Sequence, residues 1–234
     1  MSSNYTDKVV ISVGGSLIVP KEGIGIEFLK KLNSFIRDEL AKNNNRQFFL
    51  VVGGGGTTRN YQAAAREIIG QIDPEDLDWL GIHATRLNAQ LIRTIFRDIA
   101  HPYIIKHYEI IRKVTEPVVI AAGGKPGWST DYDAVLLCED YGVKTVINLS
   151  NIDKAYDKDP KQFPDAKPID KISWDGFRQI VGDKWSPGMN APFDPIAAKM
   201  AQEMGVKVVI LNGNNFENLQ KYFKNEEFLG TVID

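Results

Sequence analysis

The chain has 234 residues, near the upper end of what one hydrophobic core supports. Hydrophobic residues make up 43% and charged residues 25%, which excludes a disordered chain, and a net charge of -2 without acidic or basic tails argues against nucleic acid or a membrane surface as partner. One cysteine, Cys138, makes neither a disulfide nor a zinc cluster; with no signal-like start and no apolar run long enough to cross a bilayer, a reducing, cytoplasmic setting is expected.

In chain order, short β runs alternate with helical periods. Residues 9–13 form the first run, and Ile26, Leu29, Leu32, Ile36 and Leu40 then recur at helical spacing until Lys42-Asn43-Asn44-Asn45 stops them. The second run, 48–52, leads through glycines to a helix with Arg59 in its first turn. Asp73-Pro74 opens a longer helix marked by Leu77, Leu80, Ala84, Leu87, Leu91, Ile95 and Ile99. Runs 118–121 and 145–149 flank a helix over 131–141. Residues 151–171, rich in Asp, Lys and Pro, carry few structure signals, and a loop of that length is more often functional than idle. Helices over 173–181 and 195–204, a strand at 208–211 and a helix at 216–223 complete the chain. The runs are nearly continuous in Val, Ile and Leu, as in strands buried on both faces. The expectation is an α/β fold, a three-layer αβα sandwich on a mainly parallel central sheet, in one domain over 1–234 with a soft division near residue 145.

Three glycine clusters each follow directly on an expected strand: Gly14-Gly15-Ser16, 53–56 and Gly123-Gly124. Carboxyl ends of parallel strands form the ligand crevice of such sheets, and glycine lets backbone N–H groups approach an anion. Any one cluster reads as a tight turn; three on one edge read as a site for phosphate groups. The P-loop pattern and the G-x-G-x-x-G fingerprint are both absent. Arg59 stands three residues beyond Gly56, where its fork suits a phosphate, and Lys125 follows Gly124. Ser129, Thr130 and Asp131 read as caps of the next helix, with a role for Asp131 in orienting a cation left open. Arg86 reads as a solvated or salt-bridged helical arginine, and His83, His101 and His107 lack metal-ligand spacing. Of the tryptophans, only Trp128 sits where it could touch a ligand.

The ordered motifs are Val9 to Ser16 (VVISVGGS), Val51-Val52-Gly53-Gly54-Gly55 with Arg59 and Tyr61, and Asp78-Trp79-Leu80-Gly81-Ile82 through Thr85-Arg86-Leu87-Asn88-Ala89. Pro126 to Asp131 (PGWSTD), Asn148 to Asp153 (NLSNID) leading into Tyr156-Asp157-Lys158-Asp159-Pro160, and Asp194 to Lys199 (DPIAAK) follow. This set resembles the amino acid kinase superfamily and, within it, the archaeal-type uridylate (UMP) kinases. The resemblance implies transfer of the ATP γ-phosphoryl group to UMP, with the acceptor on the half at 1–144 and ATP on the half at 145–234. It implies that Gly54, Gly55 and Arg59 bind the UMP phosphate, that Asp78 meets its ribose, and that Gly123 and Thr130 lie beside the same nucleotide. Gly14, Gly15 and Ser16 would lie under the transferring phosphoryl group, Asp131 at the reaction centre, and Ser150, Tyr156 and Asp159 on the ATP side. It also implies Mg2+ carried largely by the nucleotide phosphates, and a homo-oligomer, a hexamer built from dimers.

Two positions depart from the pattern. Relatives carry a lysine either at the position of Ser12 or at that of Gly56, and here both lack it. Removing a preorganised donor to developing charge costs about 100- to 1000-fold in rate; Lys125 is expected to compensate, with Lys199 a surface lysine. Lys154-Ala155 stands where relatives commonly have Gly-Val, which puts a lysine in the loop over ATP. A sibling kinase with another small acceptor, and a nucleotide-binding or storage relative without catalysis, remain as alternatives.

Overall fold

The computed structural model describes residues 5–160, 162–184 and 191–234; Trp185, one of the scattered tryptophans, lies outside them. In chain order the elements are β1 (Asp7–Val13), α1 (Gly15–Ile18), α2 (Ile26–Lys42), β2 (Arg46–Val52), α3 (Gly55–Ile69), α4 (Pro74–Ile95) and β3 (Val118–Ala121). There follow α5 (Thr130–Tyr141), β4 (Thr145–Ser150), β5 (Ala155–Tyr156), β6 (Pro168–Ile169), β7 (Lys171–Ile172), α6 (Trp174–Val181), α7 (Pro195–Met204), β8 (Lys207–Asn212), α8 (Phe216–Phe223) and β9 (Thr231–Ile233). One seven-stranded sheet runs β3-β2-β1-β4-β8-β9-β7, with only the β8–β9 pair antiparallel.

Alternate side chains of the central strands enter opposite layers, as the pleat requires. Val10, Phe49, Val51, Val146 and Ile210 pack with Leu137 of α5, Phe177 of α6 and Ala198 of α7. Ile11, Phe48, Leu50, Ile147 and Val209 pack on the other side with Leu32 of α2, Ile92 of α4 and Leu219 of α8. Burial on both faces explains the unbroken apolar runs, each such side chain contributing about 1.5–3 kcal/mol. Among the described residues five helices carry side-chain caps: Asp73, Ser129, Ser173, Asp194 and Asn215 accept from the N–H groups of Glu75, Tyr132, Gly176, Ala197 and Asn218.

Two expectations are corrected. The long helix ends at Ile95, not Ile99, because Ala100 and Ile105 bridge to β3 and pull the chain onto the sheet edge. The stretch 151–171 is not structureless: β5 and β6 pair antiparallel, Ala155 with Ile169 and Tyr156 with Pro168. From β1 the chain moves outward to β2 and β3, then returns to β4 on β1's other side. The switch point thus lies between β1 and β4, the crevice where open α/β sheets bind ligands.

Candidate active site

The first two glycine loops meet at this crevice. The Gly14 N–H donates to the Leu149 carbonyl (2.8 Å) and that of Gly53 to Val13 (3.0 Å), so each loop continues the sheet's pairing by one residue. A Cβ on Gly15 would stand 2.2 Å from the Gly55 nitrogen, and one on Gly53 2.4 Å from the Gly15 nitrogen. Gly55 has φ 61 and leaves room for no side chain, a Cβ lying 2.0 Å from the Gly15 carbonyl oxygen. The glycines therefore first let two backbones touch. Gly15 and Ser16 of α1 and Gly54 and Gly55 at the start of α3 sit at a half-exposed edge, where the positive end of the α3 dipole favours an anion, whereas the Gly56 N–H is buried and taken by the Val19 carbonyl (2.7 Å). Arg59 lies at the start of the second turn of α3, since that helix begins at Gly55, and its Nη1 donates to Ser16 Oγ (3.2 Å).

One stretch of α4 ties these loops to the third. Asn88 Nδ2 donates to the carbonyls of Gly53 (2.9 Å) and Gly54 (3.0 Å). Thr85 Oγ1 accepts from the Gly123 N–H (2.8 Å) and donates to the Ile82 carbonyl (2.7 Å). Arg86 is not a solvated surface arginine: Nε donates to Gly123 O (3.2 Å) and Nη2 to Gly124 O (2.8 Å). The Gly124 N–H donates to Asp133 Oδ2 (3.3 Å), so side chains occupy every backbone polar group of Gly123 and Gly124. The third loop thus supplies shape rather than free amides.

Beside it lies a cavity of about 170 Å³ lined by Gly54, Thr58, Gln62, Asp78, Gly81, Ile82, Thr85, Gly123, Trp128 and Thr130. It brings together Gly54, Asp78, Gly123 and Thr130 from the sequence expectation. Asp78 Oδ2 accepts from the Gly127 N–H (2.8 Å), fixing the loop that carries Trp128. Thr58 and Gln62 were not foreseen, although their four-residue spacing puts them on one face of α3. A larger hollow of about 510 Å³ between α2 and α8 touches none of the glycine loops and reaches this edge only through Asp153 and Asn212.

The edge where β1, α5 and α7 meet carries carboxylates. Ser129, not Asp131, caps α5; Asp131 instead accepts from Ser12 Oγ (3.1 Å) and from the Asp194 N–H (3.2 Å), joining β1 to the start of α7. Burial, then the Asp194 carboxylate, push Asp131 up to about 7, against the pull of these two donors. Burial also raises Asp194, and raises Asp133 well above the carboxylate range; Asp133 Oδ1 has no partner among the described residues. Ser12 is 3% exposed and holds Asp131 through a hydroxyl alone. Lys125 places Nζ 4.2 Å from the Trp128 ring centroid at the cavity rim, and that ring packs on Tyr132 and Tyr108. Lys199 is exposed. Lys154 pairs with Asp170, and its side chain is 17% exposed.

On the other side of the switch point, Ser150 ends β4 and its carbonyl accepts from the Gly213 N–H (2.8 Å). Tyr156 lies half-buried in β5, and Asp159 opens a turn in which its carbonyl accepts from the Phe163 N–H (2.9 Å). Gln62, Asp78, Thr85 and Gly123 line the cavity, whereas Ser150, Tyr156 and Asp159 stand along the path from β4 through the ribbon.

The profile of the amino acid kinase family matches residues 7–212. The chain is 34% identical to the uridylate kinase of Methanocorpusculum labreanum over 97% of its own length and 95% of that protein's. It is 32% identical to that of Thermococcus kodakarensis, across 97% and 99% of the two chains. Among solved structures, uridylate kinase from Archaeoglobus fulgidus superposes with a TM-score of 0.80 at 32% identity, covering 97% of this chain and all of that one. UMP kinase from Bacillus anthracis shares the fold at a TM-score of 0.76 and 18% identity, covering 97% and 96%. With its switch-point crevice, paired glycine loops and flanking cavity, the chain belongs to the amino acid kinase family, on its uridylate kinase branch.

Proposed function

We propose that the protein transfers the γ-phosphoryl group of ATP to UMP, giving UDP. The observation that carries this reading is the cavity formed by Gly54, Asp78, Gly123 and Thr130, opening beside glycine loops at the switch point. Phosphoryl transfer between two anions asks for alignment and charge neutralisation rather than a covalent nucleophile. In this reading the amides of Gly15, Ser16 and Gly55 cradle the phosphates, with Gly14, Gly15 and Ser16 beneath the group in transit. Gly54, Gly55 and Arg59 hold the UMP phosphate, Asp78 the ribose, and Thr130 and Gly123 close the cavity. Ser150, Tyr156 and Asp159 receive ATP.

Among the described residues, no three carboxylate, imidazole or thiol groups converge as a metal cage. Mg2+ keeps waters and binds through substrate phosphates plus one or two carboxylates; Asp131 and Asp194, linked by the Asp194 N–H to Asp131 Oδ2 (3.2 Å), are the groups of this chain that would meet it. When bound, the ion neutralises phosphate charge. Lysine at Gly56 is excluded sterically, because a Cβ there would stand 2.6 Å from the Pro20 carbonyl oxygen. Among the described residues Arg59 and Lys125 are the cations nearest these loops, with Lys125 making up a small part of the field of the usual lysine.

The purified protein, given ATP, Mg2+ and each nucleoside monophosphate in turn, is expected to form UDP from UMP alone. Turnover with another acceptor and none with UMP overturns the reading; tight ATP binding without turnover on any acceptor points to the storage alternative. A homo-oligomer belongs to the same proposal: α3 exposes Tyr61, Ile68 and Ile69 at 62%, 83% and 65%, an apolar face that a second copy would cover. Light scattering coupled to chromatography tests it, a monomer at micromolar concentration being the contrary result. Among the described residues no helix is long and apolar enough to cross a membrane, and we place the enzyme in the cytoplasm with its substrates.

A further inference from the structure

We infer that Arg86 is a positioning residue that sets affinity for the acceptor by fixing the Gly123-Gly124 turn, an inference that rests on the cavity being the acceptor site. Arg86 does not line the cavity. It reaches the turn from the opposite side, out of a basic cleft of about 450 Å³ that also carries Arg93, Lys106, His107 and Arg112 and no acidic residue. Gly123 is the shared wall, belonging to the cavity on one side and accepting from Arg86 Nε on the other.

Both carbonyls of the turn depend on one guanidinium, at 3.2 and 2.8 Å. A planar fork donates to two adjacent oxygens in fixed geometry, which an ammonium group does not. The two amides of the turn are tied to Thr85 and Asp133, so freeing the carbonyls leaves it hinged at its nitrogens and free to rotate into the cavity. Arg86 also favours the ionised form of the fully buried Asp133, the acceptor for the Gly124 N–H. Thr85, Arg86 and Asp133 take all four backbone polar groups of this turn, which predicts an effect confined to the acceptor.

Initial rates are measured with UMP and ATP varied separately for the wild type, Arg86→Gln and Arg86→Lys. Loss of two charge-assisted hydrogen bonds should raise KM for UMP about 10- to 100-fold in Arg86→Gln. KM for ATP stays within twofold, and Arg86→Lys falls between wild type and Arg86→Gln. An unchanged KM for UMP, or equal rises in both KM values, overturns the inference. If Arg86→Gln does not fold, the same split in Arg86→Lys decides, with UMP binding by calorimetry as its second readout. A wild type that forms no UDP sinks the functional reading and this inference together; a wild type that does, with UMP affinity untouched in the variants, sinks the role of Arg86 alone.

Discussion

The two sides of the sheet edge are held differently. On the side we propose for the acceptor, Thr85, Arg86 and Asn88, from about one turn of α4, fasten the loops at 53–54 and 123–124 through the loops' backbone groups. On the side we propose for the donor, β4 runs into a ribbon with only two residues in each strand; Tyr156 is placed by pairing with Pro168 and Asp159 by a local turn. In the proposed arrangement in-line transfer makes misplacement of the acceptor phosphate costly, and the backbone ties around its cavity are what limit it. The difference teaches where the molecule concentrates its precision.

The largest expected effect tests that contrast directly. In Gly15→Ala the new Cβ meets backbone at the Gly55 nitrogen, which cannot swing away, so kcat/KM should fall by at least about 100-fold. In Gly213→Ala, near the donor side, the first obstacle is the end of the Leu17 side chain, which can turn, and the loss should stay below about 10-fold. Equal losses would show that both sides need the same precision. Next come the selective losses: Asp78→Ala should raise KM for UMP about 10- to 100-fold and leave that for ATP alone. Tyr156→Ala should do the reverse, by about 10-fold, for a lost aromatic contact. A rise in the wrong KM in either variant would exchange the two sides.

Much of this was legible in the sequence for a physical reason. Strands buried on both faces leave continuous apolar runs, so the central parallel strands and most helices stood out, and glycine directly after a strand marked the edge. The short strands β5, β6, β7 and β9 left too few residues to show a period. Ser12 and Asp131 look unrelated in the chain, being 119 positions apart, and only the fold makes them partners. Arg86 was misread because helical spacing says which residues share a face, not that a face looks onto another loop's carbonyls. Asp78, Gly81, Ile82 and Thr85 obeyed that spacing and could have been gathered as one lining surface.

Lys125 tests the missing lysines at a smaller scale. Its ammonium lies over Trp128 at an exposed rim, so its attraction for a phosphate works through water and is worth about 1 kcal/mol. Lys125→Ala should therefore lower kcat about 5-fold, with the loss shrinking as salt is added. Unchanged turnover with intact binding would leave Arg59 and the helix amides as the whole of the positive field.

The smallest effect is on stability, and its sign follows from the carboxylates at the edge where β1, α5 and α7 meet. Asp131 rises to about 7 in the folded chain, so between about pH 4 and pH 7 the folded state holds a proton that the unfolded state releases. Stability from this group is complete below about pH 4 and is lost as pH rises through 7; Asp194 and Asp133, also raised, act in the same direction. Asp98, drawn down to about 2 by Arg37, acts oppositely, but only in acid. From pH 5 to pH 8 the ligand-free protein should therefore lose thermal stability, each kcal/mol appearing as about 2–4 °C in Tm. Asp131→Asn keeps an oxygen for one of its two donors and cannot ionise, so its Tm should vary less across that range. A wild type and variant with parallel Tm profiles would mean that Asp131 is ionised throughout, its charge already balanced at the junction of β1 and α7 by Ser12 and the Asp194 amide.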